Sequence, residues 1–111
     1  MGIFGKSDPK NRLTGYVYVV HLVGTEAYKI GLSRTDVGRR IRQLAEGQPW
    51  PLEVVLVSRQ IYRVHLMENR LHKRFSHKRM RGEWFALDEA DIEKIKKWMP
   101  CVNNPAKRLG L

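Results

Sequence analysis

The sequence predicts a small α/β domain, a sandwich in which helices flank an antiparallel sheet. Runs of aromatic and β-branched residues are typical of strands, and runs with apolar residues three or four positions apart are typical of helices. These runs follow one another in the order β-β-α-β-α-(β)-α, the bracketed strand being short. A chain of 111 residues can bury one hydrophobic core but is too short for two.

The first two strands are predicted to form a hairpin. Residues 16–22 read Tyr-Val-Tyr-Val-Val-His-Leu, and Ala27 to Leu32 continue as a second strand. A two-residue loop at Val23-Gly24 would place Tyr18 directly opposite Lys29. Directly opposed residues share one face of a sheet, so the phenol and the ammonium group are expected to be neighbours. The alternative is a core tyrosine beside an edge-strand lysine that discourages aggregation.

The remaining elements follow in chain order. Residues 36–47 have helical apolar spacing and a terminal glycine, and they predict the first helix. Residues 52–57 form a near-continuous apolar run typical of a buried strand. Residues 64–75 carry apolar side chains on one face and predict the second helix, and residues 82–87 predict the short strand. Asp88 is placed as the N-cap of the third helix.

Residues 15–100 are expected to form the folded domain. Residues 1–14 are expected to be a polar leader, and residues 101–111 a loose polar tail. Cys101 is the only cysteine, which excludes an internal disulfide and a thiolate metal cluster. No apolar run approaches the roughly 20 residues of a membrane span, and the leader lacks the apolar stretch of a signal peptide. The sequence thus predicts a cytoplasmic protein with no membrane partner.

The chain is strongly basic, with a formal net charge of +10 and a pI near 10.2. A surplus of that size favours a polyanionic partner, because each neutralised phosphate releases condensed counterions. Nucleic acid is the expected polyanion. Acidic proteins stay open as alternative partners.

Glu68 is the acid that stands out. Between Arg59 and Gly82 the chain has eight Lys and Arg residues, and Glu68 is the only acid. On the second helix Glu68 falls at the edge of the apolar face, and His72 follows it at i+4. A carboxylate beside the core, attracted by nearby cations, is placed to hold a metal ion near a phosphate. The alternative is a helix ion pair with an arginine, while zinc is disfavoured because the ligands are too few.

Arg40 lies on the first helix, roughly 80° from the centre of the apolar stripe. Its guanidinium can therefore lie along the sheet and offer two parallel N–H donors to a phosphate. The alternative is that its stem only covers the rim of the core. Arg39 and Arg42 point well away from the core, towards solvent or a DNA backbone.

Four short patterns occur in a recognisable order along the chain. They are Tyr16-Val17-Tyr18, Tyr28-Lys29-Ile30-Gly31, Arg40-Ile41, and Glu68 followed by Leu71-His72, Phe75 and Gly82-Glu83-Trp84-Phe85. Together they resemble the GIY-YIG endonuclease superfamily, and most of all its phage-type DNA-binding branch. Two positions depart from that family's pattern: Tyr16 replaces the first motif's glycine, and Lys29 falls where the second motif has a tyrosine.

The resemblance implies a central three-stranded antiparallel sheet and a nuclease that hydrolyses DNA phosphodiester bonds with one divalent ion, Mg²⁺ or Mn²⁺. It also implies low sequence specificity for a lone domain. By the same resemblance Tyr18 orients or deprotonates the attacking water, Arg40 binds the scissile phosphate, and Glu68 holds the metal. Lys29 is assigned to proton abstraction or charge stabilisation, and His72 to proton transfer or phosphate contact.

The remaining cations are assigned to flanking phosphates of double- or single-stranded DNA, or alternatively to a solvated basic surface. This set comprises Arg34, Arg39, Arg42, Arg59, Arg63, Arg70, Lys73, Lys78, Arg79 and Arg81. A second hypothesis for the whole chain is a DNA-binding or regulatory module without catalysis, which the lysine at position 29 favours. An RNA substrate also stays open, and a monomer is expected.

Overall fold

The computed structural model describes residues 13–111. Most of the expected leader, residues 1–12, lies outside the described residues, whereas Thr14 already belongs to the first strand. The elements in chain order are β1 (Thr14–Leu22), β2 (Ala27–Ser33), α1 (Val37–Glu46), β3 (Leu52–Val57), β4 (Ile61–Tyr62), α2 (Val64–Arg74), a 3₁₀ turn (Ser76–Lys78), β5 (Arg79–Arg81), β6 (Trp84–Ala86), α3 (Glu89–Trp98) and α4 (Pro105–Arg108).

The sheet is antiparallel, with the strand order β3-β1-β2-β6-β5, and β4 pairs with the start of β1. The α/β class is as predicted, but the expected three-stranded sheet is wrong, because the sheet has six strands. The difference comes from β4 and β5, which were not predicted, and from β6, which lies within the predicted short strand at residues 82–87 and joins the sheet by pairing with β2. Segments of two or three residues show no alternating pattern, so they become strands only through the neighbours with which they pair. Arg79–Arg81, for example, reads as a basic loop and pairs with β6 instead.

The β1–β2 hairpin differs from the predicted register by two residues. Tyr18 lies opposite Gly31 instead of Lys29. The loop is the cause, since it spans residues 23–26 rather than two residues. A shift of two keeps every side chain on its expected face. Tyr18 and Lys29 therefore still share a face, but as diagonal neighbours.

The helices predicted from apolar spacing are present, and two of them begin at capping side chains. The carboxylate of Asp36 accepts a hydrogen bond from the Arg39 backbone N–H at 3.0 Å, and α1 ends at Gly47. Asp88 and Asp91 form a reciprocal capping box at the start of α3. The caps fix where each helix enters the sandwich.

Two apolar cores lie on opposite faces of the sheet. Val17 of β1 packs with Leu71 of α2 and Ile95 of α3 in one core. Tyr18, the next residue of β1, packs in the other core with Ile41 of α1. Alternate residues of a strand point to opposite faces, so β1 is covered on both sides. This places Tyr18 beneath α1, while α2 lies on the other face.

Residues 101–111 pack against the domain, whereas their polarity predicts a loose tail. Cys101 forms a β-bridge with Ser58, just beyond β3, and α4 packs on β3. Val102 and Leu109 join the core beneath α1. A few well-placed apolar side chains suffice for this contact, and average composition does not reveal them.

Candidate active site

The candidate site lies where β6 leaves the outer edge of β2. β6 pairs with residues 27–29 of β2, and the chain turns sharply at Gly82, where φ is 57°. At the next position of β2 the Ile30 backbone N–H still donates to the Glu83 carbonyl at 3.0 Å. The Ile30 carbonyl accepts a hydrogen bond from Nε2 of His72 at 2.8 Å. His72 therefore ties α2 to the strand edge that β6 leaves uncovered.

Glu68, His72 and Glu83 meet at this edge. One ligand atom from each of the three side chains lies within 4.8 Å of the others, and Nε2 of His72 is 4.0 Å from Oε2 of Glu68. Glu68 is 8% exposed, as its predicted place at the edge of the apolar face implies. The ammonium group of Lys29 binds Oε1 of Glu83 at 2.9 Å. The site thus contains two carboxylates and a buried lysine.

Glu83 is the member of this cluster that sequence reasoning missed. Its position beside Glu68 depends on the pairing of β6 with β2, in which Trp84 lies opposite Lys29. That pairing joins residues more than fifty positions apart, and no local pattern encodes it. The available signal was the Gly-Glu-Trp-Phe pattern at residues 82–85, which marks the segment without assigning a role to its acid.

The Glu68 carboxyl group is harder to ionise than an ordinary glutamate. Burial raises its pKa, and the nearby charge of Glu83 raises it further. His72, Lys29 and Arg34 act in the opposite direction and do not outweigh these two effects. The sequence predicts that neighbouring cations attract the Glu68 carboxylate. That attraction is present, but burial has the larger effect on the pKa. A buried carboxylate beside a second one is stabilised by any cation that can reach both.

Tyr18 contributes a buried phenol beneath α1, on the same sheet face as Lys29. Its side chain is 1% exposed, and burial raises the pKa of the phenol while a hydrogen bond and the charge of Arg40 act to lower it. The charges of Glu83 and Glu68 also raise the pKa of this phenol, to a smaller extent than burial does. Arg40 is exposed on α1. The expected phenol–ammonium pair of Tyr18 and Lys29 is thus replaced by a phenol–guanidinium pair.

The donor set suits a hard divalent cation. Carboxylate oxygens of Glu68 and Glu83 are the ligands that Mg²⁺ and Mn²⁺ prefer, and the only thiol of the chain, Cys101, lies elsewhere at its bridge to Ser58. The carbonyl that faces His72 Nε2 can only accept, so Nε2 carries the hydrogen. In the neutral ring Nδ1 then keeps the lone pair that accepts a proton or binds a metal.

The ten cations assigned to flanking phosphates do not form one surface around this site. Lys78 differs from the rest because its ammonium group is bound by Asp91 at 2.7 Å and lies 4.0 Å from Asp88. Arg70 and Lys73 project from the outer side of α2, well over 90° around the helix from Glu68, so they face away from the site. The exposed members are Arg34, Arg39, Arg42, Arg59, Arg63, Arg70, Lys73, Arg79 and Arg81.

The fold and site define a small basic α/β domain with a carboxylate pair at an open sheet edge. The chain belongs to the T5orf172 domain family, whose sequence model matches residues 15–100. This finding overturns the resemblance to the GIY-YIG superfamily, which is a distinct family. Lys29, which stands where the GIY-YIG pattern has a tyrosine, is consistent with a distinct family. In the observed hairpin register, Lys29 also does not lie opposite Tyr18.

Two other comparisons, with curated proteins and with solved structures, found no similar protein. Within residues 13–111, no helix has the length and apolar character needed to cross a membrane.

Proposed function

We propose that this protein is a metal-dependent endonuclease that hydrolyses DNA phosphodiester bonds, with low sequence specificity as a lone domain. The observation that carries the proposal is the approach of Glu68 and Glu83 at the open edge of β2, beside the Tyr18–Arg40 pair. Two acids this close, one of them buried, occur in a chain whose net charge is +10. Such perturbed, clustered carboxylates are typical of functional sites.

Glu68 and Glu83 would hold one Mg²⁺ or Mn²⁺. The ion would supply a Lewis acid that stabilises the negative charge developing on the phosphate. Glu68 contributes best when ionised, and a bound cation would favour that form against the burial that raises its pKa.

The remaining side chains bind and orient the substrate. The Arg40 guanidinium keeps N–H donors beyond the one that Tyr18 uses, and these can bind a phosphate oxygen pair. Tyr18 stays protonated at neutral pH because its pKa is raised, so it orients the attacking water by hydrogen bonding and does not deprotonate it. His72 Nδ1 is the group suited to accept the proton of that water. Lys29 stabilises charge near Glu83, where burial keeps it close to the carboxylate pair.

A second candidate function is a DNA-binding or regulatory module without catalysis. The observation that favours it is the Lys29–Glu83 ion pair at 2.9 Å, since a resident ammonium group already neutralises one of the two carboxylates. On either function the partner is DNA, with RNA as the alternative substrate. We also propose that the protein acts as a cytoplasmic monomer, and a single site then nicks one strand per event.

Cleavage of supercoiled plasmid separates the two functions. Wild type and Glu68→Ala are incubated with Mg²⁺, Mn²⁺ or EDTA, and DNA binding is measured in parallel. Metal-dependent nicking that disappears in Glu68→Ala while binding persists supports the nuclease. Tight binding by the wild type with no nicking under any metal supports the module instead.

A further inference from the structure

Tyr62 is the most exposed large apolar side chain among the residues that the structure describes, at 59%. It lies in the short strand β4, opposite Thr14 at the start of β1. The site proposed above does not use it. An aromatic ring held on a strand and left open to solvent is available to a partner.

The neighbouring residue fixes how this ring is presented. Arg63 has φ 58° and ψ 49°, a left-handed conformation that residues with a side chain rarely adopt, and it joins β4 to α2 without a loop. Its guanidinium carbon lies 5.6 Å from the centre of the Tyr62 ring. The ring and the cation therefore lie against each other at the β4–α2 corner.

The charge around this corner identifies the kind of partner. From Arg59 to Met67 the chain contains no acid, and both Arg59 and Arg63 are exposed. An open aromatic face set among arginines is the arrangement that binds single-stranded nucleic acid, because the bases stack on the ring and the phosphates meet the cations. The bases of a duplex are stacked on each other, so only an unpaired base can present a free face to a side chain.

The corner is also connected to the candidate active site. A Cβ atom placed on Gly15 would lie 3.1 Å from the Arg34 Cα and 3.1 Å from Cγ1 of Val64, so these residues pack together at the start of α2. The charge of Arg34 acts on Glu68. Val64 and Glu68 are one helical turn apart, roughly 6 Å along the axis. The corner thus lies at the N-terminal end of the helix that carries Glu68.

We propose that Tyr62, backed by Arg63, is a stacking platform for an unpaired base of the DNA strand that enters the site. The proposal rests on the nuclease function and names its substrate class, which is DNA with a single-stranded segment. The platform gives no sequence readout, since every base has a face that can stack. It adds a preference for unpaired strands to the uniform attraction of the basic surface.

Binding in EDTA tests the platform separately from cleavage. Affinities are measured for a single-stranded oligonucleotide containing 2-aminopurine and for a duplex of equal length. The variants are Tyr62→Ala, Tyr62→Trp and the control Trp50→Ala, which removes another aromatic side chain that is 53% exposed. Trp50 lies at the opposite end of the sheet, beside the β1–β2 loop, where the Val23 N–H donates to the Pro51 carbonyl at 2.9 Å.

The platform predicts that Tyr62→Ala weakens single-strand binding about tenfold and removes the fluorescence quenching of 2-aminopurine, with duplex affinity unchanged. Tyr62→Trp and Trp50→Ala should behave as wild type. Equal affinities of Tyr62→Ala and wild type for single strands would overturn the proposal, and so would equal losses on both DNAs. A wild type that does not bind single strands overturns it as well. Metal-dependent plasmid nicking is scored separately, so the nuclease and the platform can fail independently.

Discussion

Gly31 lies directly beneath the phenol ring of Tyr18 on the adjacent strand. A Cβ atom at position 31 would come 2.5 Å from Oη and 2.6 Å from Cζ of Tyr18, far inside van der Waals contact. The missing side chain lets the ring lie flat across β2, from where its hydroxyl reaches Arg40. Backbone register, aromatic packing and the candidate phosphate-binding arginine are therefore linked through one glycine.

Gly31→Ala should destabilise the protein by about 1–3 kcal/mol, because the new methyl group forces the Tyr18 ring out of a fully packed position. Chemical denaturation measures the change. Nicking activity should fall as well, since the displaced phenol loses its hydrogen bond with Arg40. Tyr18→Phe removes Oη but leaves Cζ 2.6 Å from the new methyl group, so the double variant should stay destabilised and should not recover activity.

Gly47→Ala is the matched control for that substitution. Position 47 has an ordinary φ of −96°, and the nearest atom to an added Cβ is the Leu44 carbonyl oxygen at 4.0 Å. Its stability should stay within about 0.5 kcal/mol of wild type. If Gly31→Ala were equally neutral, the close packing of Tyr18 on this glycine would be wrong.

Glu68→Gln should make the metal-free protein more stable at neutral pH. Burial and Glu83 raise the pKa of Glu68, so the folded protein binds that proton more tightly than the unfolded chain does. The associated stability is fully present below the unfolded carboxyl pKa and is lost as the pH rises through the raised folded pKa. Glutamine stays uncharged, so the variant should unfold at a higher temperature than wild type at pH 7.5 in EDTA and at a similar temperature near pH 4.

Glu46→Gln, at an exposed position at the end of α1, serves as the control and should show no such pH-dependent gap. A Glu68→Gln protein that unfolds at a lower temperature than wild type at pH 7.5 would show that the carboxylate stabilises the fold. We expect the variant to unfold at the higher temperature, because the charged Glu68 carboxylate lowers the stability of the fold and is retained for function.

Much of the fold could be predicted because its larger elements carry local signals. α1 and α3 have both helical periodicity and capping side chains, Asp36 and Asp88, and their bounds match the sequence interpretation closely. β4 and β5 could not be predicted, because strands this short exist only through pairing with distant residues, whereas β6 lies within the short strand predicted at residues 82–87. The hairpin register failed for a related reason: the length of the 23–26 loop decides it, and a Gly-Thr pair fits more than one loop.

The residues of the candidate site also divide into those that local sequence patterns predict and those whose position depends on distant contacts. Helical periodicity was enough to place Glu68 at the edge of the core and His72 one turn later. Strand alternation was enough to put Tyr18 and Lys29 on one face. Glu83 required knowledge that β6 pairs with β2, which is a contact between distant parts of the chain. Arg40 was missed as the partner of Tyr18 because that contact joins a helix to a strand, which no local pattern predicts.

The Lys78–Asp91 pair should support stability above acid pH. Burial alone would raise the pKa of Asp91, but hydrogen bonds from Lys78 and from the Asp88 backbone outweigh it and leave the pKa below its ordinary value. A lowered folded pKa gives stability that is present above the unfolded pKa, near 4, and is lost as the pH falls through the folded value. Asp91→Ala should therefore cost about 1–3 kcal/mol at pH 7 and much less near pH 3 in denaturation experiments.

Glu89→Ala provides the comparison, because it removes an exposed acid from the same first turn of α3. Its effect at pH 7 should be a fraction of that of Asp91→Ala. A gap between Asp91→Ala and wild type that stays constant from pH 7 to pH 3 would contradict the proposed pairing.

The salt dependence of DNA binding should distinguish free cations from those already bound within the protein. Arg81→Gln, at the tip of the β5–β6 hairpin, should reduce the slope of log affinity against log salt by about 0.9 on duplex DNA. Lys78→Gln should change the slope much less, since Asp91 already binds that ammonium group. Equal changes in the two variants would mean that Lys78 leaves Asp91 to contact DNA.

The measurement that tests the central claim most directly is Mn²⁺ binding followed by electron paramagnetic resonance. Wild type, Glu68→Ala and Glu83→Ala are compared with Glu53→Ala, which removes an exposed glutamate from β3. The account predicts one site in wild type and Glu53→Ala, and an affinity reduced by at least about tenfold when either Glu68 or Glu83 is removed. The same affinity in all four proteins, or no binding by the wild type, would contradict the account.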